Sequence, residues 1–121
     1  MTHILYMKTS KKADASLPQP VVAILKNLGR RIQIARKRRR LSETKLAELA
    51  FTSRATIQRL EAGEPGIGIG ILSSVLWVLQ LHQDLALVAA PERDEYGRRL
   101  DEARLPKRIH DAATKDDKYD F

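Results

Sequence analysis

A chain of 121 residues has room for one compact domain plus tails, and 43% hydrophobic residues with only 5% aromatics favour an aliphatic helical core over an aromatic-rich sheet. The absence of cysteine excludes disulfides and cysteine-liganded metal sites and suits a reducing compartment. The net charge of +7 sits in one block, residues 28–61, which carry ten Lys or Arg against three Glu; a polyanion partner is expected, although an anionic membrane surface would attract the same block.

In chain order, His3, Ile4, Leu5, Tyr6 and Met7 form a candidate short strand, but Lys8, Lys11, Lys12 and Asp14 follow too closely for a signal peptide, and a cytoplasmic location is expected. Residues 1–20 read as a flexible N-terminal arm, because Pro18 and Pro20 push their predecessors towards extended backbone. From Val21, the apolar positions Val22, Leu25, Leu28, Ile32 and Ala35 recur at helical spacing and predict a first helix reaching Arg39. Ser42 is a candidate N-cap with Glu43 in the first turn, and Leu46, Ala47, Leu49 and Ala50 give a short second helix its buried face. Phe51 and Thr52 connect it to a third helix, which Ser53 caps, Ile57 and Leu60 anchor, and Gly63 stops.

Glu64, Pro65 and Gly66 make a turn into a fourth helix lined by Ile69, Leu72, Val75, Leu76 and Leu79, which is apolar nearly all round and predicted to be the most buried element. The apolar stretch Ile67 to Leu79 spans thirteen positions, too few to cross a bilayer. A fifth helix is expected over 83–89, closed by Pro91, and residues 92–121 read as a mobile or partner-ordered charged tail. The expected organisation is therefore all-α: an arm to residue 20, a five-helix domain over 21–91 and the tail.

Two short helices joined by a tight connection, the second ending at glycine, form a helix-turn-helix pattern, in which one helix braces another against the major groove. The segment LGRRIQIARKRRRLSETKLAELAFTSRATIQRLEAG resembles the Cro and lambda-repressor type of helix-turn-helix, the XRE family, over Leu28 to Leu81. The resemblance implies that Leu46, Ala47, Ala50, Ile57 and Leu60 are packing positions, with Ala47 small enough to let the two helices cross closely. Two residues depart from it. Phe51 stands where the family usually has a glycine suited to left-handed backbone, and Glu43 stands where a glutamine often contacts phosphate, which leaves Thr44 or Lys45 to donate instead.

Successive residues of the third helix, about 100° apart, turn Ile57 and Leu60 inward and Ala55, Gln58 and Arg59 outward, with Arg54 near the tip. Gln pairs with an adenine edge, Arg with guanine, and Ala touches a thymine methyl, so Arg54, Ala55 and Gln58 are the candidate base contacts. Thr56 and Arg59 flank them as candidate phosphate contacts. Arg36, Lys37, Arg38, Arg39 and Arg40 end the first helix, where cations also suit the negative end of the helix dipole. Five adjacent charges exceed what a cap requires, and Arg36, Arg38, Arg39 and Arg40 join Thr44 and Lys45 as candidate backbone contacts. The bland alternative is an amphipathic surface helix beside a solvated charge run.

Gly66, Gly68 and Gly70 complete no phosphate-loop frame and follow a helix. His3, His82 and His110 are scattered, so no catalytic set, metal site or cofactor is expected. Trp77 reads as a core residue. Double-stranded DNA is the expected partner, bound by a homodimer on half-sites about one turn, ~34 Å, apart; the surplus apolar surface of residues 67–90 and the N-terminal strand are both candidates for the dimer interface. The helix-turn-helix followed by LWVLQLHQDLALVAAPERDEYGRRLDEARLPKRIH also resembles the HipB-like antitoxins. That resemblance implies autoregulation, a HipA-like serine/threonine kinase toxin as partner, and a contacting segment around Arg104, Leu105, Pro106, Lys107, Arg108 and Ile109. The alternatives are a repressor with no toxin partner and a protein-interaction adaptor that uses the fold without reading DNA.

Overall fold

The computed structural model describes residues 16–105, and these are all-helical, with no strand among them. The expected strand near the amino terminus and residues 106–109 lie outside the described residues. The chain divides into two compact units, the first ending at Leu85 and the second beginning at Ala86. The boundary thus falls six residues before the expected Pro91.

The first unit holds α1 (Gln19–Arg38), α2 (Glu43–Leu49), α3 (Arg54–Glu61) and α4 (Ile69–Val78). Helix α1 begins two residues earlier than the periodicity predicts. Pro20 lies in its first turn, where an absent N–H removes nothing the helix would have used. Both serine caps form as expected: Ser42 Oγ accepts from the Lys45 N–H at 3.0 Å, and Ser53 Oγ from the Thr56 N–H at 3.1 Å.

The first four helices close in one way. The residue two past each last helical position is left-handed, and it and its successor fold their N–H groups back on the final turn. Arg40 (φ 55°), Phe51 (56°), Gly63 (80°) and Gln80 (62°) occupy this position. The paired bonds run from Arg40 and Leu41 to Lys37 and Arg36, from Phe51 and Thr52 to Glu48 and Ala47, from Gly63 and Glu64 to Leu60 and Arg59, and from Gln80 and Leu81 to Trp77 and Leu76. The departure at Phe51 therefore leaves the turn intact and places a side chain on a backbone that suits glycine, at a cost of about 1–2 kcal/mol. Only Gly63 meets the requirement freely, and it has a second reason to be glycine: a Cβ there would stand 2.6 Å from the Lys26 Cα. A Cβ on Gly29 would likewise stand 2.4 Å from the Glu61 carbonyl oxygen, so α1 and the end of α3 touch backbone to backbone.

Ile32, Ala35, Leu46, Ala47, Ala50, Ile57, Leu60, Val75, Leu76 and Leu79 form the core, with Leu28, Leu41, Ile67 and Leu72 packed at its margin. Helix α3 packs on both α1 and α2, and α2 packs on α4. The apolar pattern overstates burial at three places. Leu49 is exposed, as are Ile69 (76%) and Trp77 (61%), so α4 is not buried all round and Trp77 is not a core residue. Its ring instead lies 4.6 Å from that of His82.

Inside this frame lies an ion pair. Arg36 Nε and Nη2 donate to the two carboxylate oxygens of Glu61 at 2.7 and 3.1 Å, while Nη1 donates to the Leu41 carbonyl at 2.9 Å. The two side chains are only 8% and 4% exposed. The Glu61 hydrogen bonds outweigh desolvation and raise the Arg36 pKa above its ordinary value, with further help from the fields of Glu61 and Glu43. The pair ties the last turn of α1 to the last turn of α3.

A 3-10 helix, His82–Leu87, takes the place of the expected fifth α-helix. The second unit contains a 3-10 turn, Pro91–Arg93, and α5 (Glu95–Arg104), so the tail expected to be mobile or partner-ordered is helical over these ten residues. Asp94 caps α5 by accepting from the Gly97 N–H at 2.9 Å, and Arg98 pairs with Glu95 one turn earlier.

Two stability measurements follow. Phe51→Gly is expected to raise the unfolding free energy by about 1 kcal/mol, read as a higher urea midpoint at unchanged slope; a lower midpoint would mean that the ring contributes packing. Arg36→Ala is expected to cost about 3–5 kcal/mol because it strands the Glu61 charge, whereas Arg36→Met combined with Glu61→Leu should recover most of the loss. Equal midpoints for wild type and Arg36→Ala would contradict a desolvated pair.

Candidate nucleic-acid interface

Burial of Ile57 (0%) and Leu60 (6%) fixes which side of α3 faces outward. Arg54, Ala55 and Gln58, the candidate base contacts, are all exposed on that side. The flanking residues Thr56 and Arg59 are half-buried. The Thr56 hydroxyl lies 2.9 Å from Ser53 Oγ, and Arg59 Nε lies 3.4 Å from a Glu64 carboxylate oxygen.

The first turn of α2 stands beside this face. Glu43 Oε1 accepts from Arg54 Nε at 3.4 Å and from Gln58 Nε2 at 3.3 Å, so one carboxylate gathers two of the three candidate base contacts. Thr44 and Lys45 are exposed next to it, and Lys45 Nζ lies 3.8 Å from Glu48. These polar groups form an outward-facing surface built from α2 and α3, which pack directly on each other.

The basic run divides when placed on the structure. Arg36 is corrected: its guanidinium is buried and all three of its nitrogens are engaged, so it is no phosphate contact. Arg39 is exposed, but Nη1 donates to the Ala35 carbonyl at 2.8 Å, which caps its own helix. Lys37, Arg38 and Arg40 are exposed past the end of the pair that buries Arg36.

A run of five basic residues hides the ion pair, yet the spacing carries it. Arg36 lies one turn beyond Ile32 and Glu61 one turn beyond Ile57, and both isoleucines are fully buried. The bonds of Glu43 have no such signal, because they join residues eleven and fifteen positions apart on different helices.

Chemically, the surface offers the guanidinium fork of Arg54, the amide of Gln58 and the methyl of Ala55, types that pair respectively with guanine, with adenine and with the thymine methyl. Among the described residues, no three His, Asp or Glu are placed to hold a metal ion, and no helix is long and apolar enough to cross a membrane. Comparison of the chain with family models, with curated proteins and with solved structures finds no match.

Proposed function

We propose that this chain is a sequence-specific binder of double-stranded DNA that represses transcription, with α2 and α3 acting as a lambda-repressor-like helix-turn-helix and α3 entering the major groove. One observation carries it. Arg54, Ala55 and Gln58 are exposed in a row on a helix whose opposite face is anchored by Ile57 and Leu60, inside the block of the chain that holds its whole excess of positive charge.

In this reading Arg38, Arg40, Thr44 and Lys45 neutralise or hydrogen-bond the phosphates on either side of α3, and Thr56 and Arg59 set its register. A homodimer places two such helices on adjacent major-groove faces. The exposed Ile69 and Trp77, two turns apart on α4, supply an apolar face for that contact. The antitoxin role, with a HipA-like kinase as partner, is the proposed biological setting. Tyr96 and Leu100, exposed one turn apart on α5, suit a protein partner, and co-purification with a kinase encoded beside this chain tests that part separately.

Selection of bound fragments from genomic DNA, followed by binding to the selected and scrambled duplexes, tests DNA reading itself. A clear preference is expected, and equal binding to both would overturn the proposal. On a selected duplex, Gln58→Ala is expected to weaken binding by about 1–3 kcal/mol and to relax preference at one base pair; binding equal to wild type would remove Gln58 from the base-reading set. Neutralising Arg38 and Arg40 together to Gln should flatten the slope of log affinity against log salt by ~0.9 for each phosphate left without its cation. An unchanged slope would make these two residues ordinary solvated charges.

A further inference from the structure

We propose that Glu43 is the residue that makes this surface select base edges over phosphate: a positioning and specificity-determining carboxylate, resting on the DNA-binding reading above. The block of the chain with the excess of positive charge sets an acid beside Arg54 and Gln58, two of its three candidate base-reading residues, in contradiction to the attraction for phosphate that the block creates.

The donors used resolve the contradiction. From Arg54, Glu43 takes only the Nε hydrogen. The two Nη groups at the end of the fork stay available, and this end can bond guanine O6 and N7. From Gln58, Glu43 takes one hydrogen of Nε2. The other hydrogen and Oε1 remain, and with Glu43 on the hydrogen trans to Oε1 they are the donor and acceptor that adenine N7 and N6 require. Both bidentate pairings are therefore compatible with the Glu43 bonds, and the carboxylate uses only what base reading leaves over.

Phosphate meets a different surface. It carries a full negative charge and would approach the same two side chains against the carboxylate, with no base edge in exchange. Glu43 is well placed to impose this cost. It occupies the first turn of α2, where an acid suits the helix dipole, and its side chain is only 23% exposed. Arg54 and Gln58 each have many rotamers, and a common acceptor narrows them before DNA arrives. Distances of 3.3–3.4 Å are long enough to bias these side chains without locking them.

Glu43→Gln and Glu43→Ala separate the two roles, because Gln removes the charge and keeps an acceptor, whereas Ala removes both. Binding to selected and to scrambled duplexes at 0.1 M salt should show scrambled-DNA affinity rising roughly tenfold in Glu43→Gln, the equivalent of one more neutralised phosphate, with a salt slope steeper by ~0.9. Selected-DNA affinity should rise less, so the ratio of the two falls. In Glu43→Ala the ratio should fall further, because Arg54 and Gln58 lose their common acceptor. Without DNA, the side-chain NMR signals of Arg54 Nε–H and Gln58 Nε2 should move in Glu43→Ala and stay near their wild-type positions in Glu43→Gln.

An affinity ratio unchanged in both variants overturns the inference, as do Arg54 and Gln58 signals insensitive to Glu43→Ala. A wild-type protein with no preference among duplexes overturns the DNA-binding reading and this inference with it. A wild-type preference that both variants retain overturns this inference alone.

Discussion

The geometry of the first unit depends on two charges that have left water together. Arg36 and Glu61 sit at the last turns of α1 and α3, and the guanidinium also holds the carbonyl of Leu41, just before α2 begins. Such a pair adds little net stability, because desolvation consumes most of the attraction, but it tolerates very few arrangements of its partners. Dispersion forces among leucines and isoleucines would accept a helix shifted by an ångström more readily. At the same place Gly29 brings the backbone of α1 against the Glu61 carbonyl, so close approach and directional bonds reinforce one placement of α3.

That placement organises the charge of the molecule. One arginine of the basic run is spent internally and a second caps its own helix, which leaves Lys37, Arg38 and Arg40 exposed beyond them. The acidic residues follow the same division. Glu61 neutralises a charge inside, whereas Glu43 works at the surface among groups proposed to read DNA.

Much of this is legible in the sequence where local rules decide the outcome. Ser42 and Ser53 mark the starts of α2 and α3 because a cap requires only a hydroxyl and nearby N–H groups, and the period of Ile57 and Leu60 fixes the buried side of α3. What escapes a sequence reading depends on competing or distant partners. The residues of α5 show too few apolar positions to signal a helix by periodicity, although Asp94 and the Glu95–Arg98 pair are there to be read. Ile69 and Trp77 look like core because hydropathy records what a residue prefers, not whether anything covers it. The pairing of Glu43 with Arg54 and Gln58 follows only from the crossing of two helices, which no local pattern encodes.

The turn at Phe51 links local order to the integrity of the whole surface. The ring is 94% exposed, so little packing offsets its left-handed backbone. What holds that conformation is the pair of bonds from Phe51 and Thr52 to Glu48 and Ala47, together with the seating of α2 and α3 on either side. If the last turn of α2 frays, those acceptors move away and residue 51 relaxes to a right-handed conformation, which turns the chain away from the entry to α3. Fraying, ordinarily a private event at one helix end, would thus be transmitted across the joint, and α2 and α3 should open to solvent exchange as one cooperative unit instead of two.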